Sequence, residues 1–270
     1  MKWNRGKFQI KKRNIPMQHT PYPNPSILYD RERAEETALY YYEELPSTNQ
    51  TAKEILLSEE NGRRFIVLAD RQSAGRGRLG RRFYSEGGLY FTYAFPHGSF
   101  SLPPELLTTA AAAAVCRAIA DEGFPAEIKW VNDILLNGKK ICGILAEALS
   151  KENAVLGYVV GIGINIGISD FPEPLSETAA SLSGDSLLKS RIFRRVRRYF
   201  TQALNGSPQK ILDYCTKKSC VIGKPIRYFG ALEGCGIAQG LDKNGGLIVK
   251  KENGEILHLT GGEISVRRQG

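Results

Sequence analysis

The sequence predicts an α+β fold with a mixed, mostly antiparallel sheet, helices and a small C-terminal β-barrel. Apolar strand-like runs follow one another through short turns instead of alternating strictly with helices. Three stretches, beginning near Ser47, Pro104 and Ser186, carry apolar residues at helical spacing. After Gly223 only short strand-like runs remain. We therefore expect a mixed domain at residues 37–220 and an SH3-like domain at residues 221–270.

The composition is that of a globular protein with a core of ordinary size. The 270 residues are 42% hydrophobic and 24% charged, and the formal net charge of +9 favours anionic partners. No run approaches the roughly 18 to 20 apolar residues of a membrane span, so no membrane partner is expected. Five cysteines without a C-x-x-C pair favour reduced thiols in the cytoplasm, and no metal-ligand spacing occurs.

The N-terminal residues 1–36 are predicted to be disordered or extended. Six Lys or Arg residues and no acid occur in the first 13 positions, and four prolines follow between positions 16 and 25. A transit-like or nucleic-acid-contacting arm is an alternative interpretation. The segment is too proline-rich for a helix-turn-helix domain, so DNA binding is not expected.

The first half of the mixed domain is predicted to hold three strands and two helices. Ser47 with Gln50 has the spacing of a capping box, which places a helix between the first two strands. Pro104 opens an alanine-rich helix that Gly123 closes. The expected strands are Leu39–Tyr42, Phe65–Ala69 and Leu89–Phe95.

The second half is predicted to hold a hairpin, a glycine-containing strand and an arginine-rich helix. Asn137-Gly138 is a strong hairpin signal between Ala126–Leu136 and the strand that follows. Glycines within Ala154–Ile166 indicate close approach of the backbone to a ligand. The helix at Ser186–Leu204 presents either a solvated basic face or a docking surface for an acidic partner.

The stretch Asp70–Arg82 (DRQSAGRGRLGRR) predicts a loop that closes on a small anionic ligand. Its glycines allow close approach, and its arginines offer donors that suit carboxylate and phosphate oxygens. Gly75-x-Gly77-x-x-Gly80 also fits a dinucleotide fingerprint, but a turn rather than a helix follows it and no acid lies near positions 95 to 102. A surface loop with incidental charge is the remaining alternative.

Four clusters together resemble the biotin–protein ligase family, the biotin–[acetyl-CoA-carboxylase] ligases. They are Ser47-Thr48-Asn49, Gln72 with GRGRLGR, KWVND (129–133) with K-x-x-G-I-L-x-E (140–147), and GIGINI (161–166). The resemblance covers about Leu45 to Gly167 and resumes at GGEIS (261–265). It implies a class II synthetase-like catalytic domain.

The resemblance implies a two-step ligase that uses ATP, Mg²⁺ and biotin. Biotin would be activated as biotinyl-5′-AMP and transferred to a lysine of a biotin carboxyl carrier protein. Such a chemistry needs cations that offset the repulsion of two anions and a loop that excludes water from the acyl-adenylate. The carrier would be a subunit of acetyl-CoA carboxylase or another carboxylase, and the ligase a monomer or homodimer.

The resemblance also assigns candidate residues. Arg76, Arg78, Lys140 and Asp133 would be catalytic, with Asp133 orienting or deprotonating the incoming amine. The biotin site would comprise Ser47, Thr48, Asn49, Gln72, Gly75, Arg76, Gly77, Arg78, Lys140 and Gly143. The ATP site would comprise Arg76, Arg78, Asn132, Asn165 and Arg267, with Mg²⁺ near Asn132 and Asp133. Hairpin-surface or turn roles are the alternatives for Lys140, Asn132 and Asp133, and a solvated charge is the alternative for Arg267.

Three departures from the family pattern matter. The lead of about 45 residues is too short and proline-rich for the winged helix-turn-helix of family members that repress transcription. Val131 replaces the proline of KWPND, and Phe83 stands where another aromatic residue, often Trp, is usual.

Two rival functions stay open. A lipoate or octanoate ligase would share the fold, but such enzymes usually lack the GRGRxGR loop. A basic nucleic-acid-binding protein would show salt-dependent retention on DNA or RNA. It is disfavoured because aromatic residues are not interleaved with the basic clusters.

Overall fold

A computed structural model of the chain describes residues 26–30, 35–58 and 62–266. Its contacts divide the described chain into two compact units. The first unit comprises the residues up to Phe100 together with Leu145–Ile168, and the second comprises Ser101–Ile144 together with the residues from Ser169 onward. The predicted domain boundary at residue 220 does not coincide with the division between these two units, and it stays a prediction.

The secondary structure is as follows. The strands are β1 (Ser26–Asp30), β2 (Glu35–Leu45), β3 (Phe65–Gln72), β4 (Glu86–Pro96), β5 (Ala126–Lys129), β6 (Asp133–Leu136), β7 (Lys139–Lys151), β8 (Ala154–Ile164), β9 (Pro225–Phe229), β10 (Gly234–Leu241), β11 (Leu247–Lys250), β12 (Ile256–Leu259) and β13 (Glu263–Val266). The helices are α1 (Thr48–Ser58), α2 (Leu107–Ala120), α3 (Leu175–Thr178), α4 (Leu188–Leu204) and α5 (Pro208–Lys218).

The first unit is a sheet with one helix packed on it. The strand order is β1-β2-β3-β4-β8-β7, in which β2 and β3 run parallel while β1–β2, β3–β4 and β4–β8 are antiparallel. Ala52 and Ile55 of α1 are fully buried against Tyr40, Phe65 and Val67. This apolar contact fixes the N-terminus of α1 beside the ends of β2 and β3.

The second unit contains two antiparallel hairpins, the longer helices and the barrel. Strands β5, β6 and the first half of β7 pair in sequence, and Asn137 and Gly138 take the positive φ values of a tight hairpin turn (51° and 78°). The barrel order is β12-β11-β10-β9-β13, all antiparallel. Its core residues, including Ile226 and Val249, form one cluster with Trp130.

The predicted fold class is confirmed, and the differences are local. The segment predicted as disordered or extended includes β1, and residues 1–25 and 31–34 lie outside the described residues. Helix α5 was not predicted, although Pro208 at its first turn is a start signal. The side-chain amide of Gln50, predicted to belong to a capping box, donates to the Glu54 carboxylate at 2.9 Å, which is an i,i+4 pair on α1. No described helix is long and apolar enough to cross a membrane.

The arginine-rich helix α4 is held to α2 by ion pairs. Arg191 Nε lies 2.7 Å and Arg195 Nε lies 2.8 Å from the Glu122 carboxylate, which is only 7% exposed. Burial alone would raise the pKa of Glu122, but the hydrogen bonds from the two arginines hold it below its usual value. Arg191 and Arg195 on the basic face of α4 are therefore paired with an acidic residue of the same unit.

Replacing Glu122 with glutamine should destabilise the protein by about 1–3 kcal/mol at neutral pH, because two charged hydrogen bonds are weakened. The folded-state pKa of Glu122 is lowered, so its contribution is present above the unfolded pKa of about 4.3 and disappears as the pH falls through the folded value. Urea unfolding of both proteins between pH 7 and pH 3 measures this. A stability difference that grows on acidification would contradict the assignment.

Candidate active site

A chain of buried polar side chains begins at the N-terminus of α1 and runs across β3 and β4. The Gln72 side-chain oxygen accepts from the Thr48 amide at 2.8 Å and from the Thr48 hydroxyl at 3.0 Å. The Gln72 side-chain nitrogen donates to Ser85 Oγ at 3.0 Å, and Ser85 donates to the Phe83 carbonyl at 3.1 Å. The orientation of the Gln72 amide is thereby fixed from both ends.

The same chain continues deeper through Thr92 and Asn49. The fully buried Thr92 hydroxyl lies 2.8 Å from Thr48 Oγ1 and 2.7 Å from Asn49 Oδ1. Asn49 Nδ2 donates to the Leu145 carbonyl and to Glu147 Oε2, and Glu147 forms an ion pair with Lys53 at 2.6 Å. Buried polar groups persist only when they are paired, so the network holds Thr48 and Asn49 in one geometry.

Two glycines of β8 let this network approach the backbone. A Cβ at Gly161 would overlap Asn49 Oδ1, and a Cβ at Gly163 would lie 2.6 Å from the Phe83 ring. Phe83 packs edge to face with Tyr90, whose ring centroid is 6.3 Å away. Burial raises the pKa of the Tyr90 hydroxyl, which accepts a hydrogen bond from the Gly88 amide. The predicted close approach at Gly161 and Gly163 is thus made to side chains of the protein.

The glycine–arginine loop starts and ends beside this network. The Ser73 and Ala74 amides donate to backbone carbonyls at the end of β2. Within the loop, the Gly77 amide donates to the Arg81 carbonyl and the Phe83 amide donates to the Gly75 carbonyl. Gly75 is needed there because a Cβ would lie 2.6 Å from Ser85 Oγ. Closing the loop base in this way places a short 3₁₀ turn at its tip.

The tip carries the predicted arginines. Arg78 opens the 3₁₀ turn and is half-buried, while Arg76 is exposed. Arg76 pairs with Arg82 in an isolated β-bridge, and the Arg82 guanidinium donates to the Ser73 carbonyl at 3.4 Å. The first unit therefore joins a largely buried hydrogen-bonding cluster to a cationic loop, an arrangement suited to a ligand with a neutral polar part and an anionic end.

The second unit holds the other predicted pair, Lys140 and Asp133. Lys140 Nζ lies 2.6 Å from Asp133 Oδ1, and the side chains are 36% and 22% exposed. In the hairpin of β6 and β7, Asp133 lies opposite Gly143 and Lys140 lies opposite Leu135, with a register shift between these two pairs. Asn132 is anchored to the same strand by donating its amide to the Ile144 carbonyl at 3.2 Å. The Lys140–Asp133 pair can therefore present a cation and a carboxylate side by side.

The remaining predicted residues are placed as follows. Ser47 is buried, and its carbonyl accepts from the Thr51 amide as the first bond of α1. Asn165 is buried directly after β8. Val131 packs against the barrel core. Arg267 lies outside the residues that the structure describes.

Sequence reasoning did not single out Thr92, Ser85, Tyr90, Lys53 or Glu147 as members of this network. Glu147 had a signal, because it is the last residue of the K-x-x-G-I-L-x-E motif. Thr92 had another, since a lone polar residue sits among apolar ones in β4. The pairing of Thr92 with Thr48 joins residues 44 positions apart and had no local signal.

If the network supports the biotin site that the resemblance implies, replacing Gly161 with alanine should weaken biotin binding by about tenfold or more, because the new methyl displaces Asn49 and breaks its bond to Thr92. Isothermal titration with biotin measures the effect. Gly240→Ala is the matched control, since nothing lies within 4 Å of its Cβ position. Equal biotin affinity in the two variants would contradict the role of the Asn49 network.

The fold and these two clusters define a class of protein: an α+β domain with a glycine–arginine loop beside a buried polar cluster, and a C-terminal SH3-like domain. A family model described as the biotin/lipoate A/B protein ligase family matches residues 41–165. A model of the biotin protein ligase C-terminal domain matches residues 235–267.

Individual relatives of the chain are named as ligases as well. The bifunctional ligase/repressor BirA of Bacillus subtilis is 34% identical over 232 residues, covering 80% of this chain and 70% of that one. The biotin–[acetyl-CoA-carboxylase] ligase of Mycobacterium tuberculosis is 30% identical over 72% of this chain and 79% of its own length. A solved structure of the Aquifex aeolicus biotin protein ligase with biotin and ATP superposes with a TM-score of 0.71, at 29% identity over 86% of this chain and 99% of that one.

The chain therefore belongs to the biotin/lipoate A/B protein ligase family, as a biotin protein ligase.

Proposed function

We propose that this protein joins biotin to a lysine of a biotin carboxyl carrier protein at the expense of ATP. In the first step the biotin carboxylate attacks the α-phosphorus of ATP, which forms biotinyl-5′-AMP and releases pyrophosphate. In the second step the lysine amine attacks the mixed anhydride, which forms an amide and releases AMP and a proton. The observation that carries the proposal is the GRGRLGR loop closing beside the Thr48–Gln72–Ser85 cluster.

The buried cluster suits the biotin ring system. A ureido group offers two N–H donors and one carbonyl acceptor, and an oriented set of hydroxyl and amide groups can match all three. Ser47, Thr48 and Gln72 are the proposed partners, and Asn49 holds Thr48 through Thr92. Because Gln72 is locked from both ends, little ordering is needed when the ligand enters.

The cationic loop suits the anionic groups. Arg76 and Arg78 would contact the biotin carboxylate and the α-phosphate, and backbone amides at Gly75 and Gly77 would lie beside them. Guanidinium groups stabilise charge that grows on the phosphoryl oxygens in the transition state. An ordered loop also excludes water, which would otherwise hydrolyse the acyl-adenylate.

Lys140 and Asp133 would act on the reacting centre in different steps. Lys140 would offset the negative charge of the carboxylate and α-phosphate, near Gly143 of the same strand. Asp133 would orient or deprotonate the incoming lysine amine. The 2.6 Å ion pair places the Lys140 ammonium and the Asp133 carboxylate side by side, so both roles could be served at one place.

Mg²⁺ fits this site as an ion carried mainly by ATP. The described residues contain no group of three or more His, Cys, Asp or Glu side chains that could hold a metal. Mg²⁺ commonly uses one or two carboxylates with substrate phosphates and water, so Asp133 and Asn132 are a sufficient protein contribution. When bound, the ion would neutralise phosphate charge, and Asn165 and Arg267 would contact the nucleotide.

The partner is a carboxylase carrier, as the names of the relatives support. We propose the biotin carboxyl carrier protein of acetyl-CoA carboxylase or an equivalent domain, a monomeric or homodimeric ligase, a cytoplasmic location and no DNA binding.

ATP–pyrophosphate exchange tests the substrate. We expect exchange that depends on biotin and is absent with lipoate or octanoate. Exchange with lipoate alone would overturn the proposal in favour of the lipoate branch of the family. Salt-dependent retention on DNA or RNA without any exchange would favour the nucleic-acid alternative.

A further inference from the structure

The side chain of Trp130 is anchored by a backbone carbonyl of the barrel. Its indole Nε1 donates to the Gly245 carbonyl at 2.9 Å, and the residue is only 7% exposed. A buried indole N–H requires an acceptor, so the position of this carbonyl decides where the ring can lie. Trp130 stands two residues before Asn132 and three before Asp133. The ring and the two candidate side chains therefore share one short stretch of backbone.

The carbonyl of Gly245 is held by Asp242, in the turn between β10 and β11. Asp242 Oδ1 accepts from the Asn244 amide at 2.9 Å and from the Gly246 amide at 2.8 Å. The Asp242 backbone also bonds to Gly246 and Gly245, at 2.8 and 3.0 Å. The Asp242 carboxylate thus holds the amide of Gly246, which belongs to the same peptide unit as the Gly245 carbonyl.

The turn also fits closely against α2. Gly245 has a φ of +81°, and a Cβ there would lie 2.8 Å from Thr109 Oγ1. The second oxygen of Asp242 lies 3.0 Å from His258 Nδ1 of β12. Burial would raise the pKa of Asp242, but the bonds from His258 and the turn amides hold it below its usual value. The carboxylate is therefore charged when it accepts these bonds.

We propose that Asp242 is a positioning residue for the transfer step, because it fixes the carbonyl that orients Trp130 and, through the chain, Asn132 and Asp133. In this proposal the effect of Asp242 on the reacting groups passes through Trp130. The proposal rests on the proposed function for the part that concerns the reaction. The placement of Trp130 by the turn is independent of it.

The neighbouring turn provides a matched control. In the turn between β11 and β12, Asn253 Oδ1 accepts from the Glu255 amide at 3.1 Å, which is the same kind of side-chain-to-backbone bond. Asn253 is exposed. Asn253→Ala therefore removes a side-chain-to-backbone bond and adds strain at a φ of 67°, so it is a control for a disturbed barrel turn away from Gly245.

The experiment compares Asp242→Ala, Asp242→Asn and Asn253→Ala in the full-length protein with Trp3→Phe, which leaves Trp130 as its one tryptophan. Trp130 fluorescence reports the ring environment, and single-turnover transfer from biotinyl-5′-AMP to the carrier reports the chemistry. In Asp242→Ala we expect a red-shifted emission and a transfer rate lowered about ten- to a hundredfold. The KM for biotin should stay within about twofold. Asp242→Asn keeps the Oδ1 acceptor and should restore both signals.

Each outcome decides the matter. Unchanged emission in Asp242→Ala, an equal rate loss in Asn253→Ala, or a parallel rise in the biotin KM would overturn the proposal. A parent protein that shifts its emission as expected but never biotinylates a carrier would overturn the proposed function and leave the placement of Trp130 by Asp242 standing.

Discussion

Replacing Lys140 with methionine is expected to slow biotinyl-5′-AMP formation by about 100-fold or more, because a cation that offsets two reacting anions is lost. Methionine keeps much of the side-chain volume, so Cys142 and the hairpin should remain packed. Lys140 is about one-third exposed, so its ammonium can be reached by an anionic group that enters from solvent. Single-turnover formation of the adenylate from biotin and Mg-ATP measures the effect.

The adjacent lysine is the control for this prediction. Lys139 is exposed, and its ammonium donates to the Ser176 carbonyl at 3.0 Å, away from Asp133. Lys139→Met carries the same change in charge and should retain the parent rate within about twofold. Equal losses in the two variants would show that net charge, and not the position of Lys140, sets the rate.

Replacing Arg78 with alanine should have a comparably large effect, with a second signature. Arg78 opens the 3₁₀ turn at the tip of the loop, whose base is held by the Gly77–Arg81 and Phe83–Gly75 bonds. Loss of the guanidinium should slow adenylate formation by about 100-fold. It should also raise the hydrolysis of added biotinyl-5′-AMP, since the loop no longer closes on the ligand. Release of free biotin and AMP in the absence of carrier measures the second effect.

Arg71 provides the matched control for the loop. It lies at the end of β3 and pairs with Glu44 at 3.2 Å, with both side chains more than half exposed. Exposed ion pairs contribute little, so Arg71→Ala should leave both rates near those of the parent protein. Faster adenylate formation in Arg78→Ala, or hydrolysis no higher than in Arg71→Ala, would contradict the role of the loop.

Local signals in the sequence were sufficient for most of the fold. The hairpin at Asn137-Gly138, the glycine-interrupted β8 and the short strands after Gly223 each follow from turn chemistry and side-chain alternation. Helix α5 was missed because its apolar residues are few and its length is only 11 residues. Strand β1 was not predicted as a separate strand because it lies in a proline-rich stretch. Its formation depends on pairing with β2, which no local sequence signal indicates.

The candidate site was predictable to the level of motifs and not of contacts. The glycine–arginine loop and the KWVND motif were recognisable from their residue types. Lys140 and Asp133 were both predicted as site residues, and the hairpin brings their side chains together. The Thr92–Asn49–Glu147 chain and the Gly245–Trp130 bond join residues 43 to 115 positions apart. Such contacts depend on the packed fold, so no local pattern in the sequence contains them.

Biotinylation of the carrier tests the proposed activity most directly. The purified protein is incubated with biotin, Mg-ATP and a biotin carboxyl carrier domain, and the intact mass of the carrier is recorded. We expect one biotinyl group on one lysine, formed by the parent protein and missing when Arg78 or Lys140 is replaced. A carrier mass that stays unmodified with biotin but rises with lipoate, or equal modification by all three proteins, would contradict it.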